Sequence, residues 1–382
     1  MKTDGTFDVV VIGAGVLGTF HAYFASRKGL RTLLIERGNT PNEASVRNFG
    51  TIVPSAMTPD EWHRRALETV TIYRALADEL PPFLKKGGTQ YLALTPGELA
   101  VLEEFARIGP GRGYACRLLD GRESLALNPS INPDHCLGTL HFPDDLRFDP
   151  RKLFSGLIPW MTRALGCQYL PNTAATGAES DGDDCLVTTA ADERFRCRNV
   201  FVCTGADFRT LFPRLFAEAG LSRCRLQMMR TRPHPTPLPT TLASGLSLRW
   251  YPSFQMCESW KKLQDEPVDP ELERRGIHVL LVQDEDGRLV VGDSHEYGEG
   301  DFPPGLDAHT EELILREARK MIALSDGAVV ERWHGIYALH RDRPVFTTTL
   351  NGNIRVVTGI GGKGMTTGPA LARESIDELV GR

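Results

Sequence analysis

The order of apolar runs and glycine turns in this 382-residue chain predicts an α/β fold of two domains, one on a parallel sheet and one on an antiparallel β-sheet. Two observations carry that expectation. A strand, a glycine turn and a helix follow one another at the start of the chain, and the same succession closes it. The long stretch between them is broken into short strands and proline-marked loops, as a second, inserted layer requires. At roughly 100–200 residues per domain, the length itself suggests two or three domains.

Phe7 to Ile12 is a β-branched apolar run, Gly13-Ala14-Gly15-Val16-Leu17-Gly18 follows at once, and Thr19 to Lys28 reads as a helix. A second apolar run, Thr32 to Ile35, ends in Glu36. This is a Rossmann-like βαβ unit closed by an acid. Gly13 permits the tight turn, Gly15 lets the backbone approach a pyrophosphate, and Gly18 lets helix and strand pack closely. The helix N-terminus presents free N–H groups to phosphate oxygens. Glu36 accepts hydrogen bonds from an adenosine ribose, which favours NAD or FAD over NADP.

Residues 38–54 are rich in Gly, Asn, Pro and Ser and read as a long loop. Glu61 to Leu80 is helical in pattern and stops at Pro81-Pro82. Gln90 to Leu94 reads as a strand, Gly97 to Arg107 as a helix, and Asn128 to Asp134 and Phe142 to Asp149 as loops. Lys152 to Leu165 is an amphipathic helix, and Val187 to Thr189 and Arg198 to Cys203 are short strands. The second of these breaks at Thr204-Gly205-Ala206, a pattern that permits close backbone approach at the C-terminal edge of a parallel sheet. Arg230 to Pro239 reads as a connecting loop. His278 to Gln283 and Leu289 to Val291 flank Asp286-Gly287, a hairpin signal. A charged helix, Glu311 to Leu324, follows. At the end, strand Ile354 to Thr358 leads through Gly359-Ile360-Gly361-Gly362-Lys363-Gly364-Met365 and Thr366 to Pro369 into a helix over Ala370 to Val380. Two such devices imply that the two ends of the chain meet around one ligand.

Hydrophobic residues make up 41% of the chain and charged residues 24%, which excludes wholesale disorder. Lys plus Arg number 44 against 49 Asp plus Glu, with no long block of like charge, so a nucleic-acid surface is not indicated. No apolar run approaches the ~18 residues of a membrane span, and the chain enters its first strand almost at once, which argues against secretion. The eight cysteines form no C-x-x-C pair, so they read as reduced thiols in a cytoplasmic protein. The ten histidines have no compact ligand spacing, and no metal is expected.

Five blocks in order resemble the FAD-dependent D-amino-acid oxidase superfamily, especially its glycine oxidase and sarcosine oxidase-like members. They are Gly13 to Gly18 with Glu36-Arg37, Ala44-Ser45-Val46-Arg47-Asn48-Phe49-Gly50, Val202 to Ala206, Trp333-His334-Gly335 with Asp342-Arg343-Pro344, and Gly361 to Met365. The strings Arg47 to Gly50, Val291-Gly292-Asp293-Ser294-His295 and Gly361 to Pro369 are similar to those of the FAD-dependent oxidoreductases associated with phosphonate catabolism.

The resemblance implies a two-domain flavoprotein with a discontinuous FAD-binding domain over 1–88, 145–215 and 331–382, and a substrate domain over 89–144 and 216–330. It implies that Gly13, Gly15, Val16, Leu17, Gly18, Glu36 and Arg37 hold the ADP half of a non-covalent FAD. Ser45, Arg47 and Asn48 then lie by the pyrophosphate or flavin, Ala174 meets adenine through its backbone, and Thr204, Gly205 and Ala206 line the nucleotide. Gly361, Gly362, Lys363, Gly364 and Met365 cradle the flavin pyrimidine edge, where a helix start and an ammonium stabilise the anion of reduced flavin.

The activity implied is oxidation of the C–N bond of a small amine by hydride transfer to flavin N5 and hydrolysis of the imine. The electrons then pass to dioxygen or another acceptor. The preferred substrate is 2-aminoethylphosphonate or an N-alkyl derivative, and the alternatives are a glycine-, sarcosine- or D-amino-acid-type substrate or a flavin-binding regulatory protein without turnover. Tyr337 stands where several relatives carry an arginine for the substrate carboxylate, so Arg341, Arg343 or Arg249 are candidates for the anion contact. Lys363, Tyr337 and His295 are the catalytic candidates. Lys363 is the only lysine after Lys320 in a chain of 9 lysines and 35 arginines.

Overall fold

A computed structural model describes residues 6–81 and 83–381. Pro82, part of the expected helix stop, lies outside the described residues, as do the chain ends of the expected FAD-binding segments.

The first strand, Phe7–Ile12, pairs in parallel with Thr32–Ile35 on one side and Arg194–Val202 on the other. Thr32–Ile35 continues in parallel to Gln168–Leu170, and Val200–Val202 to Ile354–Val356. An antiparallel flap, Ala175–Asp181 with Asp184–Thr189, and a last hairpin, Phe346–Leu350 with Ile354–Thr358, extend this to eight strands. The strands are continuous apolar runs because helices cover the sheet: Val9, Val11 and Leu34 face one core and Val10, Ile12 and Leu33 the other. The helices Val16–Arg27, Glu61–Glu79, Pro150–Leu165 and Gly364–Val380 lie on the first face.

The second sheet has nine strands, antiparallel except where Thr241–Ala243 runs parallel to Thr89–Ala93. Its longest ladder joins Leu221–Pro233 to Val329–His340. The strands expected at 187–189, 198–203, 278–283 and 289–291 coincide with Asp184–Thr189, Arg194–Val202, Leu280–Gln283 and Arg288–Gly292, with Gly287 at φ +78° in the hairpin turn, whereas Gln168–Leu170 and Ala175–Asp181 are strands beyond the expected ones.

Several elements differ from expectation. Arg230 to Pro233 are strand, not loop, because they continue the ladder with Val329–His340. The strand Val329–His340, most of which falls in the expected 331–382 FAD segment, is hydrogen-bonded into the larger sheet. The two expected loops at 38–54 and 142–149 contain Thr51–Ile52 and Leu146–Phe148, which pair with each other, and the latter also pairs with Leu84–Lys85. The final helix starts at Gly364, six residues before the expected Ala370. Its glycines are there for packing: a Cβ on Gly364 or Gly368 would sit 3.4 Å from Val16 or 3.3 Å from Leu17.

Gly18 shows how little room separates the first helix from its strand. A Cβ there would lie 1.7 Å from the Gly13 carbonyl oxygen. Gly18→Ala must push the helix away, and overpacking of this kind costs about 1–3 kcal/mol. The denaturation midpoint falls accordingly, and an unchanged midpoint would contradict this close packing.

Candidate functional site

One cavity of about 1320 Å³ runs between the two sheets. It exceeds the ~300–1,000 Å³ of a site for one small ligand, so a dinucleotide and a substrate fit together. The end shaped for a nucleotide is the C-terminal edge of the parallel sheet. Gly13 adopts φ +96°, and a Cβ there would lie 2.5 Å from the Cys203 carbonyl oxygen. The first helix begins at Val16 with no capping side chain from Gly15; the Val16 N–H donates to Ser45 Oγ at 2.9 Å. Leu17 lies in the same exposed-to-cavity turn.

Glu36 braces the turn from the next strand, accepting from the N–H groups of Ala14 and Gly38, both at 2.8 Å. Arg37 pairs with Asp207 at 2.8 Å and Glu43 at 3.3 Å. Ala174 lines the cavity, with its carbonyl already accepting from the Ala190 N–H at 2.8 Å. Thr204 Oγ1 donates to the Asp207 carbonyl, and the Gly205 carbonyl accepts from Thr358 Oγ1 at 2.7 Å, which ties the ends of two parallel strands together beside Ala206.

Arg47 is held by the Asn42 carbonyl at 2.7 Å and the His334 carbonyl at 3.2 Å. Asn48 uses both ends of its side chain locally, donating to the Ala44 carbonyl and accepting from the Gly50 N–H, each at 2.7 Å. It shapes the loop and also lines the cavity.

At the opposite end, Gly361 at φ +67° opens a 3₁₀ turn, Gly361–Lys363, into the final helix, and no side chain caps that helix. Gly362 is open toward Tyr337: a Cβ there would lie 3.7 Å from the phenol. Met365 completes this wall. Lys363 has no hydrogen bond or ion pair among the described residues; its ammonium lies 5.2 Å from the Trp62 ring centre. Burial holds its pKa down at about 8. Burial also raises the Tyr337 hydroxyl well above its ordinary value, with Cys224 next in effect.

The three catalytic candidates, Lys363, Tyr337 and His295, therefore face one space. The arginine candidates do not. Arg341 pairs with Glu299 at 3.0 Å, Arg249 reaches the Glu266 carbonyl at 3.4 Å, and neither these nor Arg343 line the cavity. Arg47, Arg209 and Arg223 do, along with Arg37 at the nucleotide end. Sequence reasoning missed Trp62, Trp250, His278 and Asp293, all in the cavity wall. Asp293 stands inside the string Val291 to His295, but His278 and the two tryptophans carry no local signal.

The residues present fit FAD. Two helix starts without capping side chains and two glycine cradles open into one cavity, and Glu36 stands at the end of the second strand. The family described as DAO, FAD dependent oxidoreductase, matches residues 8–377. The chain belongs to this family. Its cofactor is FAD.

Among curated proteins, the chain is 24% identical over 379 residues to a tRNA 5-methylaminomethyl-2-thiouridine biosynthesis bifunctional protein of Maricaulis maris, covering 98% of this chain and 52% of that protein. It is 26% identical over 218 residues to an N-methyl-L-tryptophan oxidase of Escherichia coli, covering 55% of this chain and 56% of that one. The chain thus matches little more than half the length of these curated relatives. Among solved structures, glycine oxidase from Geobacillus kaustophilus superposes with TM-score 0.78 at 19% identity, over 99% of this chain and 95% of that one. FAD-bound L-α-glycerophosphate oxidase from Mycoplasma pneumoniae superposes with TM-score 0.77 at 17% identity, over 98% and 95%. These likenesses show the fold.

Glu36 supplies two charge-assisted hydrogen bonds to the turn, each worth about 1.5–3 kcal/mol. Glu36→Ala is expected to weaken FAD binding at least tenfold, read by the recovery of flavin fluorescence on dilution. Retention of FAD as tight as in the wild type would show that the carboxylate does not shape the site.

Proposed function

We propose that this protein oxidises the C–N bond of a small amine that carries an anionic group, with 2-aminoethylphosphonate or an N-alkyl derivative preferred. The observation that carries the reading is Lys363. It is an ammonium in the cavity wall with no counter-ion among the described residues, at the start of the final helix, and it shares that wall with Tyr337, which the family resemblance puts where several relatives carry a carboxylate-binding arginine. A compact, rotatable ammonium suits a phosphonate oxygen, whereas a planar carboxylate is better served by the fork of an arginine. The names of the relatives, N-methyl-L-tryptophan oxidase and glycine oxidase, support amines as the substrate class and make glycine- and sarcosine-type substrates the second reading.

FAD, when bound, accepts a hydride from the carbon next to the amine nitrogen. The protein's part is to hold and orient. Lys363 draws the anionic end toward the final glycine turn, and Tyr337 packs against Gly362 and limits movement at the cavity wall. The Trp62 ring lies 5.2 Å from the Lys363 ammonium and offers it a cation–π contact. Arg47 is fixed by Asn42 and His334 and keeps the loop of residues 44–50 in place beside the strand Val329–His340.

The test is steady-state and anaerobic kinetics with 2-aminoethylphosphonate, its N-methyl derivative, glycine, sarcosine and D-alanine, using both dioxygen and a dye as acceptor. Turnover of the carboxylates alone would overturn the phosphonate reading. Lys363→Met is expected to raise KM for an anionic amine by about 10–100-fold, the ~1.5–3 kcal/mol of a hydrogen bond to a charged group. The pH dependence has a defined sign. Lys363 is charged below its pKa of about 8 and neutral above it, so kcat/KM for the anionic amine falls as pH rises through about 8. That alkaline limb is absent in Lys363→Met, and a profile identical to wild type would remove the lysine from substrate binding.

A further inference from the structure

On the wall formed by the antiparallel sheet, the strand Arg288–Gly292 runs into Asp293, Ser294 and His295. Asp293 is 4% exposed, and its Oδ1 has no hydrogen-bond partner. No lysine or arginine pairs with it among the described residues. The nearest basic atoms are His278 Nε2 at 3.8 Å and His295 Nδ1 at 4.0 Å, both too far for hydrogen bonds.

Neither imidazole hydrogen-bonds it. Burial depresses the His278 pKa well below the ordinary histidine value, so that ring is neutral, and its Nδ1 is bonded to Ser247 Oγ at 3.1 Å. His295 Nδ1 lies 2.9 Å from the Gly276 carbonyl, an acceptor only, so its proton is committed there. Aromatic faces surround the group. Trp250 stacks on His295 at 4.8 Å and on His278 at 5.4 Å, Tyr297 covers the outer side of His295, and Tyr251 meets His278 edge-on.

His278, Asp293 and His295 also form the one three-residue cluster of metal-ligating side chains among the described residues. A metal ion does not suit it. The His295 nitrogen that faces the carboxylate bears the proton given to Gly276, and the two imidazoles are stacked within 16° of parallel, so their in-plane lone pairs run side by side and do not converge. What the geometry lacks is an organic cation. A buried carboxylate without a partner is costly, and an aromatic rim favours an alkylammonium over a hydrated ion.

We propose that Asp293 is the residue that receives the substrate's ammonium group and takes its proton before the C–H bond is broken. This rests on the amine-oxidation reading above. In the step, one N–H bond of the ammonium breaks and an O–H bond forms on the Asp293 carboxylate. The electron pair left on nitrogen then forms the C=N bond as the adjacent carbon gives up its hydride, and the two electrons leave with that hydride. The aromatic rings of Trp250 and Tyr297 orient the alkyl part, and Lys363 holds the opposite charge, so the two ends of a zwitterionic amine have separate partners.

The test uses the FAD-loaded protein. Tetramethylammonium chloride, a cation with no transferable proton, is titrated against a sodium chloride control while the visible flavin spectrum is followed. Wild type and Asp293→Glu are expected to show a saturable change, and Asp293→Asn one at least tenfold weaker. Burial raises the Asp293 pKa to about 6, with His295 the next influence and opposing it. Tyr251, Tyr297, Tyr337 and Cys224 lie near enough to feel its charge, but burial raises the pKa of each, so they stay neutral between pH 5 and 8. Wild-type affinity for the cation therefore falls about tenfold from pH 8 to pH 5 as the carboxylate takes up a proton, a measurement that needs no variant.

With any amine that reduces the wild-type flavin anaerobically, Asp293→Asn is expected to lower kcat/KM at least a hundredfold and to abolish its rise through about pH 6. Values within twofold of wild type in that assay overturn the proposal and leave amine oxidation standing. If no amine reduces the wild-type flavin, the amine reading fails. The cation titration then decides on Asp293 alone, and a flat titration in wild type overturns the site.

Discussion

The contact between the first and last helices is the constraint on which the rest of the site depends. Both helices start at the cavity, and they lie side by side because the residues at their crossing are glycine on one partner and Val16 and Leu17 on the other. A side chain on Gly364 or Gly368 would have to enter space that Val16 and Leu17 already fill. The crossing brings two helix starts, more than 340 residues apart in sequence, to one elongated cavity. Each start offers backbone N–H groups with no intrahelical partner, and together they suit a ligand with an anionic phosphate region and an electron-poor ring.

The hydrogen bonds around this crossing show how the rest of the chain is tied to it. The Val53 N–H donates to Thr366 Oγ1 and the Ala370 N–H to Thr69 Oγ1, so the loop before the second helix and that helix itself are both pinned to the last one. Thr358 Oγ1 donates to the Gly205 carbonyl across the neighbouring strand ends. The loop of residues 44–50 is anchored on its other side to the second sheet, where Trp333 Nε1 donates to the Arg47 carbonyl at 3.2 Å. That loop therefore bridges the first helix, whose Val16 N–H donates to Ser45 Oγ, and the second sheet.

The charges in the cavity follow the same division. On the side of the glycine turns stands Lys363 with no anion among the described residues, and on the antiparallel sheet stands Asp293 with no hydrogen bond to its Oδ1. Each is costly alone in a partly dry site. A zwitterionic ligand offsets both, which a simple carboxylate or a simple amine does not. The neighbouring aromatic rings at Trp62, Trp250 and Tyr297 add surface that tolerates an alkyl chain between two charged ends.

Local residue chemistry alone was enough for the two strand–glycine–helix devices and for Glu36 at the end of the second strand. Each depends on a handful of consecutive residues whose backbone conformation and period are legible without neighbours. The start of the last helix was misplaced because Gly364 and Gly368 read as turn formers, whereas their place is decided by the helix packed against them. Arg230 to Pro233 read as loop for a similar reason: their strand is made by the ladder with Val329–His340, a partner about 100 residues away. The antiparallel wall of the site was illegible in the same way. His278, Asp293 and Trp250 come from three separate segments, and only the pairing of Leu280–Gln283 with Arg288–Gly292 and the packing of Trp250 over both imidazoles bring them together. Sequence alone determined the glycine turns because their conformation is a property of the local backbone, and it reached FAD through the order of five blocks along the chain, since the first turn by itself suits NAD as well. Only tertiary structure decided the wall around Asp293, because a buried carboxylate without a hydrogen bond is defined by what surrounds it in space.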